Sequence, residues 1–416
     1  MSDASPTVSP SNPAFPDPQP AAASAADATA ITTDDRSIDG QPAAHSTRAG
    51  QPRRPRGVAG QLRSSVAIVI SFVVLAALPF YLDEFWLRVG FAVFGAAIGA
   101  IGLNILVGTA GQLSLGHAFF LAVGAVSYCW LAGEPSDTGA IRISGLGLQP
   151  LLAMVLAVCL AGLAGLLFSP VAARLRGIYL GVASLGLVFV GQHVLNSATP
   201  VTGGYNGRRT PDFELFGFTF TDSDPNLYVL NVPFDRAERL WYVGLVLAGL
   251  AWFFARGLLA GRPGRAMRTL RDSEIAAAVT GVDVPVYRAK AFAVSSMYAG
   301  LAGVLYALSI GSVAPESFTF DVSVQYLAMI VLGGLGSAGG AVAGALLVTA
   351  LPLILDEYSE SVPGLSDPGS GGVSYAEASR YAFAALIVVV ILIQPAGLAG
   401  ITRRASNRIR RRTRQR

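Results

Sequence analysis

The fold class this sequence predicts is all-α: a polytopic transmembrane helical bundle of about 8–10 spans. Three observations carry that reading. Of 416 residues, 52% are hydrophobic and only 13% charged, where a soluble domain carries about 25% charged residues. Mean hydropathy is +0.53, and the apolar surplus is gathered into blocks close to the roughly 20 residues that carry a helix across a bilayer. The arginines, finally, collect between alternate blocks.

Residues 1–60 are a different material. "SDASPTVSPSNPAFPDPQPAAASAADATA" is rich in Pro, Ala and Ser, and such a composition buries too little apolar surface to offset its ordering entropy. It lacks the basic start and apolar core of a signal peptide, so 1–60 reads as a disordered cytoplasmic extension. The transmembrane domain, 61–400, then holds ten apolar blocks, near 64–82, 88–107, 108–132, 150–173, 178–197, 240–260, 290–311, 323–335, 340–356 and 380–395. The eighth is short and reads either as a span or as a re-entrant pair with the ninth. The segment 198–239 is polar and has no run long enough to cross.

Arginine placement orients the blocks. With the N-terminus inside, beside Arg53, Arg54, Arg56 and Arg63, ten crossings put several basic groups in the cytoplasm. These are Arg174 and Arg176, the loop 261–289 and the basic tail 401–416. "EPSDTG", 198–239 and "DEYSESVPGLSDPGS" fall outside the membrane on the other face. Both termini are thereby cytoplasmic, as expected of a multi-pass protein of the cell (inner) membrane. The tail "RRASNRIRRRTRQR" follows an apolar block and reads as an anchor to anionic lipid rather than a nucleic-acid arm. Cys129 and Cys159 sit in different blocks without metal-ligand spacing. No metal, cofactor or catalytic residue is called for.

Glycine and alanine recur within the blocks, as in "FGAAIGAIG" and "VLGGLGSAGGAVAGALL". Small residues let helix backbones approach in lipid, where packing rather than hydrophobicity drives association. The stretch "GTAGQLSLGHAFF" adds Gln112, Ser114 and His117 to three glycines inside an apolar block. Polar side chains there are costly enough to suggest function, and both a translocation pathway and polar helix packing fit them. A Ser114–His117 hydrolase is disfavoured, because no GxSxG elbow and no orienting acid accompany the pair. Gln192 and His193, at the outer end of the fifth block, suit either the substrate entrance or a wet interface. The turn-rich "TGGYNG" contributes Thr202, Gly203, Gly204, Asn206 and Gly207. No acid falls deep within a block, which disfavours the alternative of a stand-alone channel or secondary transporter for a small polar solute.

The loop "GRPGRAMRTLRDSEIAAAVTGVDVPVYRAKAF" is the most informative soluble element. A helical reading puts Met267, Leu270 and Arg271 on one side. Asp272 or Ser273 can cap a short helix at "EIAAAVT", Glu274 complements its positive end, and Gly281 suits a left-handed stop. Such a helix either docks into a groove of another protein or lies on the membrane as a connector. No GxxxxGK[ST] phosphate loop occurs anywhere.

This loop resembles the EAA-type coupling loop of ABC importer permeases: Glu274, Ala276, Ala277 and Gly281 match its Glu-Ala-Ala, three residues, Gly pattern, with Ile275 inserted. More broadly, "GQLSLGHAFFLAVGAVSYCWL", "LRGIYLGVASLGLVFV", "TGGYNG", "GRAMRTLRDSEIAAAVTGV" and "VAPESFTFDVSVQYLAMIVLGGLGSAGGAVAGALL" occur in the order found in LivM-type permeases. The resemblance covers about 88–400. It implies a permease subunit moving branched-chain or related amino acids into the cytoplasm. The partners it implies are a LivH-like second permease, two cytoplasmic ABC ATPases and an extracytoplasmic substrate-binding protein. Arg265, Arg268, Arg271, Glu274, Ala276, Ala277 and Gly281 would then face the ATPases. Gln112, Ser114, His117, Gln192 and His193 would line the pathway, and 202–207 would meet the binding protein.

Overall fold

The computed structural model describes residues 58–137, 142–215, 235–358 and 397–400, with short stretches between 218 and 233 and between 378 and 392. Residues 1–57, most of the tenth apolar block and the tail 401–416 lie outside the described residues. Twelve α-helices occur among the described residues. They are α1 (Val58–Ala77), α2 (Glu84–Leu103), α3 (His117–Ala132), α4 (Pro150–Arg174), α5 (Ile178–Ser197), α6 (Thr199–Thr202), α7 (Arg236–Ala260), α8 (Arg262–Asp272), α9 (Glu274–Val279), α10 (Val284–Ile310), α11 (Phe320–Gly333) and α12 (Ala338–Glu357). Among the described residues strands are confined to two-residue antiparallel pairs, such as Ser136 with Ile143 and Arg208 with Val313.

The fold is the expected all-α membrane bundle. Six helical stretches among the described residues are long and apolar enough to cross a bilayer: Glu84–Thr109, α4, α5, α7, α10 and α12. Two shorter apolar helices, Ile68–Phe80 and His117–Ala132, accompany them. The third block departs from expectation, because its helix does not begin with the quoted polar stretch. Instead α2 is prolonged to Thr109, the chain runs non-helically from 110 to 116, and α3 starts at His117.

α10 is the central helix and packs on α4, α2 and α3. Its buried positions include Ala291, Ser295, Ser296, Ala299, Gly300, Ala302 and Gly303, which is why three neighbours can reach its backbone. A Cβ on Gly303 would lie 2.1 Å from the carbonyl oxygen of Leu121, and one on Gly124 would lie 2.2 Å from that of Gly300. The second core helix is α2, packed on α10, α12 and α7. On the periphery, α4, α5 and α7 expose Leu167, Phe189 and Phe253, side chains suited to lipid. α1 is tied to α7 where Trp241 Nε1 and the Tyr242 hydroxyl donate to the carbonyls of Leu75 (3.0 Å) and Ala76 (2.8 Å).

The antiparallel run of helices sorts the connections into two ends. One end gathers the C-termini of α3, α5 and α10 with the N-terminus of α4 and the short strand pairs. The other gathers α8 and α9, the C-termini of α2, α4 and α11, and the N-terminus of α10.

Candidate functional site: a polar helix break and a docked helix pair

α2 ends in a wide turn, Asn104–Thr109, with π-type hydrogen bonding. Such turns recur at functional sites because they free backbone groups from the regular ladder. Ala110 N donates to Ile105 O (3.0 Å) and Gln112 N to Leu106 O (3.1 Å). Gly111 then takes φ +72°, a left-handed conformation that costs glycine least. Non-helical backbone within a bilayer is tolerated only when its polar groups find partners in the protein. Serines of other helices supply them in the break and at the first turn of α3. Ser184 Oγ from α5 accepts from Leu115 N at 2.9 Å, and Ser323 Oγ from α11 accepts from Ala118 N at 3.0 Å. Ser114 serves the same loop locally, accepting from Gly116 N at 3.3 Å.

Ser323→Ala, and separately Ser184→Ala, leaves a buried N–H unmet. Each is expected to cost about 1–3 kcal/mol, seen as a lower unfolding temperature of the solubilised protein. Unchanged unfolding in both variants would show that the loop does not depend on them.

The polar side chains of the break are held differently from its backbone. His117 is 1% exposed; its ring lies 4.9 Å from that of Tyr326 on α11 and hydrogen-bonds the backbone of Gly99. Among the described residues its Nε2 has no hydrogen-bond partner, and neither do Oε1 and Nε2 of Gln112, a residue 5% exposed. Buried groups with unused donors and acceptors can exchange hydrogen bonds with a polar solute. Gly99 makes the room: a Cβ there would lie 2.5 Å from the Tyr326 ring. The structure thus gathers Gln112, Ser114 and His117 with Ser184, Ser323 and Tyr326. Gln192 and His193 stand apart on α5, Gln192 half-buried and His193 exposed.

Below the break sits the helix pair. Pro263 stands in the first turn of α8, and Gly264 turns it tightly beneath α7, since a Cβ there would lie 2.5 Å from Leu259 O. Met267 and Leu270 face the core. Arg265 and Arg268 bend back to donate to Ala260 O (3.3 Å) and Leu259 O (3.1 Å), satisfying the negative end of α7. Of the two capping candidates Ser273 fills the role, its Oγ accepting from Ala276 N at 3.2 Å. Asp283 caps α10 in the same way through Val286 N. Gly281 has φ +80°.

Burial divides α9 in a way the sequence pattern does not. Ala277 is fully buried and anchors the helix. The exposed side carries Ala276 and Ala278 between two large apolar residues, Ile275 at 79% and Val279 at 83% exposure. These two sit four positions apart on one face, and Ile275 is the residue that interrupts the family pattern. Glu274 also points inward. It pairs with Arg288 of α10 and, at 3.0 Å, with Arg176 after α4. Arg288 in turn donates to Ala173 O at 2.8 Å. Arg271 reaches up from α8 to donate to Gly108 O at 2.7 Å.

At the opposite end, Thr202, Gly203 and Gly204 are buried within their turn and Gly207 is half-buried, while Tyr205 and Asn206 form an exposed tip. The Thr202 hydroxyl donates to Leu195 O (2.8 Å), and Gly204 N donates back to it (3.0 Å). Beside this turn, Glu134, Gln149, Arg208, Arg209, Asp212 and Glu214 help line a cleft of about 770 Å³. Arg208 is buried there and donates to Ser144 O (3.0 Å) and Val201 O (2.9 Å). Burial lowers its pKa from the ordinary arginine value.

Comparison with known proteins agrees with this geometry. The family described as branched-chain amino acid transport system, permease component, matches residues 85–393. The high-affinity branched-chain amino acid transport system permease protein LivM of Escherichia coli (strain K12) is 31% identical over 352 residues, covering 82% of this chain and 76% of that protein. Its Salmonella typhimurium counterpart has the same identity and coverage. A probable branched-chain amino acid transport permease LivM of Methanocaldococcus jannaschii is 26% identical over 327 residues, or 72% of this chain and 89% of the relative. No solved structure matches the chain.

Proposed function

The chain belongs to the family of branched-chain amino acid transport permeases, and from that premise we propose how it works within an ATP-driven importer. It is a multi-pass inner-membrane protein and a permease subunit; the family is a transport component, not a catalytic subunit. Its cargo is a branched-chain or related amino acid, passed in by an extracytoplasmic binding protein that meets the end bearing Tyr205 and Asn206. A LivH-like permease completes the pathway, and two cytoplasmic ATPases supply the energy. Both termini, and the end bearing α8 and α9, face the cytoplasm.

One observation supports this reading above the others: two large apolar side chains, Ile275 and Val279, stand exposed on a helix outside the spans. A helix tip of this kind suits a groove on a soluble partner. Gln112 and His117, with unused hydrogen-bonding atoms beside the break, are the pathway residues this reading favours. His193 belongs to the pathway only where a partner covers α5.

The test is reconstitution. Leucine uptake into proteoliposomes is expected only when this chain, its permease partner, the ATPases, the binding protein and ATP are all present. Uptake by this chain alone down a leucine gradient would instead establish a self-sufficient channel or carrier.

A further inference from the structure

Three segments far apart in sequence meet at one point under the helix break. The wide turn closing α2 leaves its last carbonyls without intrahelical partners, and these form the negative end of a long helix. Arg271 supplies a charge-assisted bond to one of them, Gly108 O, at 2.7 Å. Asp272 Oδ1 accepts from the other side of the same guanidinium, from Nε at 3.3 Å and Nη2 at 3.2 Å, fixing its plane. The third segment is the break between α11 and α12. There Gly336 N donates to Asn104 Oδ1 at 2.8 Å, and Asn104 Nδ2 donates to Ser337 O at 2.8 Å.

The packing at this point leaves no slack. A Cβ on Gly108 would lie 2.4 Å from Gly336 N, one on Gly111 would lie 2.6 Å from Arg271 Cγ, and one on Gly336 would lie 3.2 Å from Gly108 O. A movement of α8 therefore pulls directly on the end of α2 and, through Asn104, on the start of α12. The ties of α9 itself go elsewhere, from Glu274 to Arg288 of α10 and to Arg176 after α4.

We propose that Arg271 is the positioning residue that transmits displacement of the α8–α9 pair to the two helix breaks, with Asn104 as the second link. On this view it faces the bundle and not the ATPase. The inference rests on the coupling role proposed for Ile275 and Val279, and adds where the motion goes.

The experiment uses the full complex with its ATPases and binding protein, reconstituted and scored as leucine moved per ATP hydrolysed. Only preparations that retain the ATPases are compared, so a failed docking surface is seen separately, as loss of those subunits. In Arg271→Met the ratio is expected to fall at least tenfold. Arg271→Lys, whose ammonium can still donate to Gly108 O, is expected to recover most of it. Asn104→Ala, which leaves α8 untouched, is expected to lower the ratio as well. A wild-type ratio in Arg271→Met, or a lysine variant no better than the methionine one, overturns the proposal. If Arg271→Met does not accumulate, a wild-type ratio in Asn104→Ala does so.

Discussion

Replacing Ile275 and Val279 together by glutamate is expected to strip the cytoplasmic ATPases from this permease and abolish uptake, with the membrane domain left folded. Burying an Ile or Val side chain is worth about 1.5–3 kcal/mol, so two such anchors at the centre of a contact account for about 3–6 kcal/mol. Each tenfold in affinity corresponds to about 1.4 kcal/mol, so the loss of binding is on the order of a hundredfold or more. Glutamate adds the cost of carrying a charge into an apolar groove. The fold should not suffer, because both side chains stand in solvent and the inward ties of α9 run through Ala277 and Glu274. Co-purification in mild detergent reads the first effect and thermal unfolding of the isolated chain reads the second. ATPases that still co-elute at the wild-type ratio would show that this face is not their contact. Ala277→Arg is the wrong test of the same idea, since it would disrupt the buried side of the helix.

Gly303→Val is expected to remove most of the folded protein. The crossing of α3 and α10 is made backbone to backbone, with Gly303 against Leu121 O and Gly124 against Gly300. A valine there meets carbonyl oxygen, which cannot rotate away, so the helices must separate and lose their mutual packing. Overfilling a packed interior costs about 1–3 kcal/mol where side chains can adjust, and backbone contact puts this case at or above about 3 kcal/mol. Monodisperse yield on size exclusion measures it. The control is Gly186→Ala on α5 together with Gly257→Ala on α7, where nothing lies within 4 Å of an added Cβ. Alanine is a better helix former than glycine by about 0.5–1 kcal/mol, so these variants should be neutral or slightly stabilised. Equal yields across both sets would mean that close glycine contact is not what holds the bundle.

The spans were legible because hydropathy and length are local properties. Blocks one to nine all appear as helices, and the caps and stop around α9 were written in short-range residue types, Ser273 and Gly281. The wide turn at Asn104–Thr109 was not legible, since "NILVGT" is compatible with ordinary helix and the bond that meets its irregular end comes from Arg271, far away in sequence. Nor could the sequence orient the short helix. Glu274 and Ala277 point inward because Arg288, Arg176 and the bundle lie there, and those neighbours are contributed by distant segments. Ile275, an apparent interruption in the family pattern, is turned outward for the same reason. Thr202 and Gly203 looked like surface turn residues, yet their turn folds beneath Arg208.

The brevity of α3 has one more consequence. Its 16 residues give about 24 Å of helix at 1.5 Å per residue, less than the roughly 30 Å hydrocarbon slab. α3 lies in the interior, against α10 and α4, so the rest of that depth falls to the non-helical run 110–116, a stretch whose Leu115 N–H depends on a serine of another helix.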